Sequence, residues 1–296
     1  MGINDDNTVT RDVVKINLNQ PNEITIEEQV PTRIGVEAFA AVYKNTMYVA
    51  GMGDNRDEIW KYKKSFGWKQ CASLVQGRCR HSTAFINEVL YVCGGFGIST
   101  NLVLDSVEAF NVVTNKCATV GKLFHAVQIA GNCVPFKSSL YIFGGTDEDQ
   151  IAFNYVQVYN TKDNTCSVLT RPMPGPHALM RAVLWKTSVV LLGWQTCFIF
   201  NLETETFQER KTFKTDVVHF GLIFVNGRVF VIGGGYSEQY KDSNGIWKCR
   251  DDVRYVPIQN IIKDKPIQWK IHRKLPKPCL VHACTNIRHM LCWHYK

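Results

Sequence analysis

Five short apolar strands in this chain end in glycine, and this repeat constrains the fold more than any other feature of the sequence. The five segments read MYVAGM, LYVCGG, LYIFGG, VVLLGW and VFVIGG. Successive first glycines are 43, 50, 49 and 40 residues apart, and they are Gly51, Gly94, Gly144, Gly193 and Gly233. A period of this length indicates one supersecondary unit that is copied in series.

The second copy shows the plan of the unit. It contains four runs with strand character, at 81–86, 89–93, 106–110 and 116–120, and turns rich in Asn and Gly separate them. Such runs are typical of strands, and four per unit at even spacing predict a β-propeller. No stretch keeps the i, i+3, i+4, i+7 apolar pattern of a helix, so we expect very little helix.

The two ends of the chain each supply half of a further unit. Residues 11–30 offer a third and a fourth strand, and residues 279–294 offer a first and a second. Either half alone would leave strand edges unpaired, so we expect them to join and close the ring. The predicted single domain then has six blades, at about 35–77, 78–123, 124–173, 174–214, 215–276, and 277–296 joined with 11–30.

The unit resembles the Kelch repeat, in which a glycine doublet follows an apolar strand and V-E-x-[YF]-[ND] follows later. The closest copy pairs LYVCGG with SVEAFN at 106–111, and the next pairs LYIFGG with VQVYN at 156–160. Met52 and Trp194 replace the second glycine in two copies. The whole chain is similar to the C-terminal propeller of the BTB-Kelch (Kelch-like) proteins. This resemblance implies an all-β, six-bladed Kelch propeller with four antiparallel strands in each blade.

The resemblance also raises an expectation about the parent protein. The chain starts at Met1-Gly2, where the glycine pair of the sixth blade would end, so we expect a fragment or splice product of a longer chain. In a Kelch-like parent, BTB and BACK domains would precede this segment. A cullin scaffold would then be reached only through that parent BTB domain.

Charge and cysteine content indicate a compartment and leave two interpretations of the basic end open. The net charge is +8, and residues 263–296 hold eight Lys or Arg and a single acid. Such a segment attracts an acidic partner or is a set of solvated lysines. The eleven cysteines form no C-x-x-C pair. With no secretory leader or membrane span visible, we expect a reducing, cytoplasmic setting and no membrane or nucleic-acid partner.

No motif in the sequence predicts catalysis, a metal or a cofactor. Five histidines recur near the starts of first strands, but their offsets from the glycines differ, so they do not occupy equivalent positions; they are His81, His125, His177, His219 and His282. Asp-box turns, G-x-S-x-G, a P-loop and H-E-x-x-H are all absent from the sequence. We therefore expect a protein that is not an enzyme.

In Kelch-like proteins the partner-binding face is built from residues just before each first strand and just after each glycine pair. The resemblance therefore implies fourteen contact residues here, and arginine, tyrosine and phenylalanine among them are common in interface hot spots. The predicted set is Arg33, Asp54, Asn55, Arg56, Arg78, Arg80, Phe96, His125, Thr146, Asp147, His177, Tyr236, Ser237 and Lys277.

Three functions remain open from the sequence. The first is recognition of a short, acidic peptide or loop as the substrate module of a cullin-RING ubiquitin ligase. The second is an actin- or cytoskeleton-binding Kelch domain that uses the basic end of the chain. The third is a truncated decoy that occupies a partner and recruits no ligase.

Overall fold

The computed structural model describes residues 13–16, 24–27, 29–32, 34–129, 133–236, 249–276, 280–287 and 289–295. Among these residues the regular structure consists of strands, apart from one five-residue helix, α1 (Ile258–Ile262). The expectation of very little helix is confirmed. No helix in these ranges has the length and apolar character needed to cross a bilayer.

The strands follow one another along the chain in groups that correspond to the repeat. The N-terminal pair is β1 (Val13–Ile16) and β2 (Ile24–Glu27). The first full group is β3 (Ile34–Tyr43), β4 (Thr46–Met52), β5 (Glu58–Lys63) and β6 (Gly67–Ser73). The second is β7 (Arg78–Cys79), β8 (Ser82–Ile86), β9 (Val89–Cys93), β10 (Phe96–Gly97), β11 (Leu102–Val103), β12 (Ser106–Asn111) and β13 (Lys116–Lys122).

The remaining groups continue in the same way. The third is β14 (Val134–Phe136), β15 (Ser139–Phe143), β16 (Val156–Asn160) and β17 (Thr165–Val168). The fourth is β18 (Arg181–Trp185), β19 (Ser188–Gly193), β20 (Thr196–Asn201) and β21 (Thr206–Glu209). The fifth is β22 (Val217–Val218), β23 (Gly221–Val225), β24 (Arg228–Ile232), β25 (Gly235–Tyr236), β26 (Asp252–Pro257) and β27 (Lys270–Lys274). The last pair is β28 (Leu280–Ile287) and β29 (His289–Tyr295).

These strands build six antiparallel, four-stranded sheets, which are the blades. Blades 1 to 5 have the strand orders β3-β4-β5-β6, β8-β9-β12-β13, β14-β15-β16-β17, β18-β19-β20-β21 and β23-β24-β26-β27. The sixth has the order β28-β29-β1-β2, and β1 pairs with β29 from Val13 opposite Trp293 to Ile16 opposite Met290. The predicted closure by strands from both termini is therefore confirmed.

Burial explains why the blades stack into a ring. The first strands contact one another in succession, from β3 through β8, β14, β18 and β23 to β28 and back to β3. The second strands of blades 1 to 5 are buried along almost their whole length. Apolar clusters then join neighbouring blades, as where Val190 and Leu192 of blade 4 pack with Val229 and Val231 of blade 5. Burial of this apolar surface is the main stabilising contribution to the ring.

The glycine at the end of a second strand allows the next blade to approach closely. Gly144 has φ +58°, and a Cβ atom there would lie 2.2 Å from the His177 carbonyl oxygen. Blade 4 departs from this pattern, as the sequence indicated. Its β19 continues to Gly193, which pairs directly with Thr196, so the connection to β20 is a tight turn.

Candidate partner-binding face

One end of the propeller carries two kinds of loop. In an antiparallel sheet the start of the first strand lies beside the end of the second, so the segment entering a blade meets the segment after its glycine. The Gly95 amide donates to the Val127 carbonyl at 2.8 Å, and the Gly145 amide donates to the His177 carbonyl at 2.9 Å. Both bonds join neighbouring blades. The loops at this end therefore form one continuous surface, here called the loop face.

The inner rim of the loop face has a repeated backbone turn. Arg80, Ile129, Leu179 and His219 enter successive first strands, and all have left-handed backbone with φ between 51° and 58°. The Ile129 amide donates to the Arg80 carbonyl at 3.0 Å, and the Leu179 amide donates to the Ile129 carbonyl at 3.1 Å. This conformation is uncommon outside glycine, and the bonds between blades hold it in place. We call this rim the channel mouth.

Two arginines give the channel mouth its positive charge. Arg80 is half-buried, and its Nη1 donates to Gln128 Oε1 at 3.3 Å. Arg181 is buried at the start of β18, and its Nε donates to the Phe220 carbonyl at 3.2 Å. Its guanidinium lies 5.0 Å from the centroid of the Phe39 ring. Since Phe39 belongs to blade 1 and Arg181 to blade 4, this side chain crosses the channel.

The histidines beside these arginines are neutral at physiological pH. Burial, followed by the charge of Arg78, lowers the pKa of His81 to about 3. Burial, followed by the nearby charges of Arg181 and Arg80, lowers the pKa of His219 to about 3. The positive charge of the channel mouth therefore comes from its arginines.

The prediction that Arg78 contacts a partner is wrong, because its side chain has no exposed surface. It forms an ion pair with the equally buried Glu108. It also donates to the Gly94 carbonyl at 3.0 Å and to the Ser106 carbonyl at 3.1 Å. Burial of a cation requires this complete set of acceptors, so Arg78 ties the loop entering blade 2 to β12 and is a structural residue.

Thr146, another predicted contact residue, is buried, with only 5% of the residue exposed. It exchanges both backbone hydrogen bonds with Gln128, at 2.8 and 3.0 Å. Asp147, the next residue, is half-buried, and its Oδ1 accepts a hydrogen bond from the Ile151 amide at 2.8 Å. Asp147 therefore shapes the loop after β15 and is still partly open to solvent.

The other predicted residues divide between open positions and undescribed ones. Asp54 and Asn55 are exposed. Arg56 is half-buried and donates to the Gly53 carbonyl at 2.8 Å, and the half-buried Phe96 pairs through its backbone with Cys79. Arg33, Ser237, Lys277 and the side chain of Tyr236 lie outside the described residues.

One third-strand position fixes the entering loop of its own blade. In blade 3, Gln157 accepts from the His125 amide at 2.8 Å and donates to the His125 carbonyl at 3.2 Å. In blade 4 the equivalent Phe198 contacts the His177 ring at a centroid distance of 5.2 Å. The two predicted histidines are thus held in position, and the His125 side chain remains exposed.

Several residues of the loop face were missed by the sequence prediction. Phe124, Phe153 and Tyr155 surround His125, and Arg181 and Gln128 complete the channel mouth. Phe153 and Tyr155 lie well beyond the glycine pair, just before β16, where the sequence pattern gives no signal. Arg181 lies inside a first strand rather than before it, so the sequence pattern did not place it on the loop face.

The described residues contain no group of three His, Cys, Asp or Glu that could hold a metal ion. Eight described cysteines carry thiols and form no disulfide. Burial raises the pKa of the Cys71 thiol to about 11, and burial with the charge of Glu108 raises that of Cys117 to about 12. Such thiols are protonated and weakly nucleophilic.

Comparison with known proteins agrees with the strand pattern. The Kelch motif matches residues 77–123 and 132–173. The chain is 27% identical to mouse Kelch-like protein 35 over 202 residues, which is 67% of this chain and 34% of that protein. It is 25% identical to zebrafish Kelch-like protein 41b over 278 residues, which is 85% of this chain and 44% of that protein. The chain thus spans less than half of each of these relatives.

Two further similarities are more distant. Alpha-scruin of Limulus polyphemus is 22% identical over 228 residues, which covers 71% of this chain and 24% of that protein. The solved structure of YjhT superposes with a TM-score of 0.70 at 15% identity, and it covers 86% of this chain and 89% of that one. At that identity the structural match supports the propeller fold alone.

Proposed function

Because the chain is a Kelch-repeat propeller that resembles those of the BTB-Kelch proteins, we propose that it is a non-catalytic substrate-recognition module of a cullin-RING ubiquitin ligase. Its loop face binds a short segment of a partner protein. A Kelch domain is a protein-interaction domain, and rigid scaffolds place such functions on loops. Recruitment of the cullin scaffold needs a BTB domain outside this propeller. The thiols of the described cysteines fit a reducing, cytoplasmic setting.

The observation that carries this proposal is the positive charge of the channel mouth. Arg80 and Arg181 are held by Gln128 and by the Phe220 carbonyl, and the adjacent histidines are neutral. An oriented guanidinium binds a carboxylate through two parallel hydrogen bonds, and partial burial strengthens the attraction. The segment that this site fits best carries an aspartate or glutamate, and that side chain points into the mouth.

The test selects binders from a library of displayed seven-residue peptides on the whole chain. We expect enrichment of acidic residues and a loss of at least tenfold in affinity for Arg80→Asn. Asparagine tolerates the left-handed backbone of this position, so the change removes charge without straining the turn. Lys116→Gln, an exposed charge beside the turn at the opposite end of blade 2, is the matched control. Equal affinities for both variants would overturn the proposed site.

The adaptor and decoy functions predict opposite effects on the lifetime of the bound partner in cells. An adaptor recruits a ligase, so depleting the chain lengthens the lifetime of the bound partner. A decoy shields the partner, so depletion shortens that lifetime. A cycloheximide chase of a partner identified by affinity purification, with and without a proteasome inhibitor, distinguishes the two. An unchanged lifetime under depletion would contradict both.

A second candidate function is filament binding, as in an actin-binding Kelch domain. The observation that favours it is the group of exposed lysines after α1 and on the outer strand of blade 5: Lys263, Lys265 and Lys270. Cosedimentation with actin filaments over a salt series tests it, because contacts between exposed charges weaken as salt screens them. Failure to sediment at low salt would remove this candidate, and the result is independent of the channel mouth.

A further inference from the structure

Blade 3 presents four rings in a row on the loop face. The Phe124 and His125 ring centroids are 4.8 Å apart, and those of His125 and Tyr155 are also 4.8 Å apart. Phe153 stacks on Tyr155 at 4.5 Å, with an angle of 24° between the planes. We call these residues the aromatic row. Two of its members come from the loop entering blade 3 and two from the segment before β16, so two separate loops meet in it.

The aromatic row is open at the Phe124 end, and the backbone of its second member, His125, is held in place. Phe124 is 62% exposed, although a large apolar side chain usually gains about 1.5–3 kcal/mol from burial. His125 is also exposed, but Gln157 holds its backbone with two hydrogen bonds. A rigid, exposed ring surface loses little conformational entropy when a partner binds, which favours its use as a contact site.

The loop that leads to Phe153 and Tyr155 of the aromatic row is acidic. The loop after β15 carries Asp147, Glu148 and Asp149, and residues 146–155 contain no lysine or arginine. Among the described neighbours, Lys122 is already paired with Asp105 at 3.0 Å. Aromatic faces and nearby carboxylates both attract a cation, whereas an acidic group would be repelled. The chemistry of this patch is thus opposite to that of the channel mouth.

The two regions lie next to each other. The Gln128 side chain accepts from Arg80 Nη1 at 3.3 Å and donates from its own Nε2 to the Asp147 carbonyl at 3.1 Å. One glutamine side chain therefore links the channel mouth to the acidic loop. An extended partner segment advances about 3.3 Å per residue. Two of its residues that are roughly two to four positions apart would therefore reach the channel mouth and the aromatic row.

From this arrangement we infer that the aromatic row is a second subsite, which binds a lysine or arginine of the same partner segment that places its acid in the channel mouth. The inference rests on the proposed function and adds to it. The recognised segment carries an acidic and a basic residue at a fixed short spacing. The arginine or lysine lies over Phe124 and His125, and Glu148 and Asp149 attract its charge.

The experiment uses the peptides selected on the whole chain and measures affinity by fluorescence anisotropy. Enriched sequences are expected to carry Arg or Lys two to four positions from the acid. Replacing that arginine by citrulline, which is neutral and nearly isosteric, should weaken binding about 3- to 30-fold. The double variant Glu148→Gln/Asp149→Asn and the variant Phe124→Leu should each reduce this citrulline effect. All three substitutions lie at exposed positions, so folding should be retained, as a thermal melt would check.

The outcomes separate the two hypotheses. Acid enrichment without a spaced basic residue, or a citrulline effect that is unchanged in both variants, overturns this inference and leaves the proposed function intact. Basic enrichment without acid overturns the proposed role of the channel mouth, and a citrulline effect that the variants abolish then still supports the aromatic row as a site. Enrichment of purely apolar peptides contradicts both.

Discussion

Blades 2 and 5 use the same backbone position with opposite charges. Glu108 in β12 and Arg254 in β26 each pair with the residue two positions before the first glycine of their blade. Glu108 binds Arg78 of the entering loop, and Arg254 binds Asp216 of the equivalent loop at 2.9 Å. The acid and the base have exchanged places. In these two blades an ion pair thus joins the third strand to the entering loop at this position, and either charge order provides it.

The two pairs differ in their exposure to solvent. Neither side chain of the blade 2 pair has any exposed surface, whereas the Asp216 side chain is 50% exposed. Glu108 also accepts hydrogen bonds from the Val75 and Gln76 amides, at 2.6 and 3.1 Å. Loss of one partner is severe for a buried ion pair and mild for a solvated one. Exposure, rather than charge order, should therefore decide how much each blade depends on its pair.

The largest effect is expected for Glu108→Ala. This change leaves Arg78 as an uncompensated buried cation and removes the acceptor of two backbone amides, so we expect a loss of about 3–5 kcal/mol in the free energy of unfolding. Urea denaturation measures it. Adding Arg78→Ala should cost less than the sum of the single changes, because the second change removes the stranded charge. A loss below about 1 kcal/mol would contradict a structural role for the pair.

The pH dependence of stability should come from a histidine in each of these blades. The pKa values of His81 and His219 are about 3 in the folded protein, below the ordinary value of about 6.5. The unfolded chain therefore binds protons that the folded chain does not. The contribution of the two histidines to the free energy of unfolding is fully present above pH 6.5. It declines toward pH 3, by up to about 1.4 kcal/mol per pH unit for each histidine.

Urea denaturation between pH 7 and pH 4.5 tests this contribution. His81→Gln and His219→Asn should each flatten the decline, and asparagine suits the left-handed backbone at position 219. If the free energy of unfolding declined as steeply in both variants as in the unsubstituted chain, other groups would be the cause of the decline.

A smaller effect is expected for Asp216→Ala in blade 5. Burial opposes ionisation of Asp216, but the hydrogen bond and charge of Arg254 outweigh it and lower the pKa of the carboxyl. Half of this side chain is in water, and Arg254 also donates to Thr215 Oγ1 at 3.1 Å and lies 4.9 Å from the Trp269 ring centroid. We expect a loss near 1 kcal/mol. A loss as large as that of Glu108→Ala would refute the argument from exposure.

The sequence predicted the scaffold better than the site, for a physical reason. Blade number and closure follow from strand periodicity and glycine spacing, which the backbone of every blade requires. The roles of Arg78 and Arg80 could not be separated in this way, because two arginines two residues apart look equivalent until burial is known. Arg78 pairs with Glu108, which lies thirty positions later in the V-E-x-F motif. If the glutamate of that motif had been taken as the partner of the entering loop, Arg78 would have been identified as a structural residue. The aromatic row brings together two separate loops, which no local pattern reports.

The smallest effect provides the control for the comparison of the two blades. At the outer edge, Lys122 binds Asp105 in blade 2 and Lys274 binds Asp251 in blade 5, both at 3.0 Å with similar exposure. Here the charge order is the same in both blades. Lys122→Ala and Lys274→Ala should each change the free energy of unfolding by less than about 1 kcal/mol, and by the same amount within about 0.5 kcal/mol. Unequal losses measured by urea denaturation would mean that the blades differ in overall stability. In that case the contrast between Glu108 and Asp216 would no longer isolate the effect of burial.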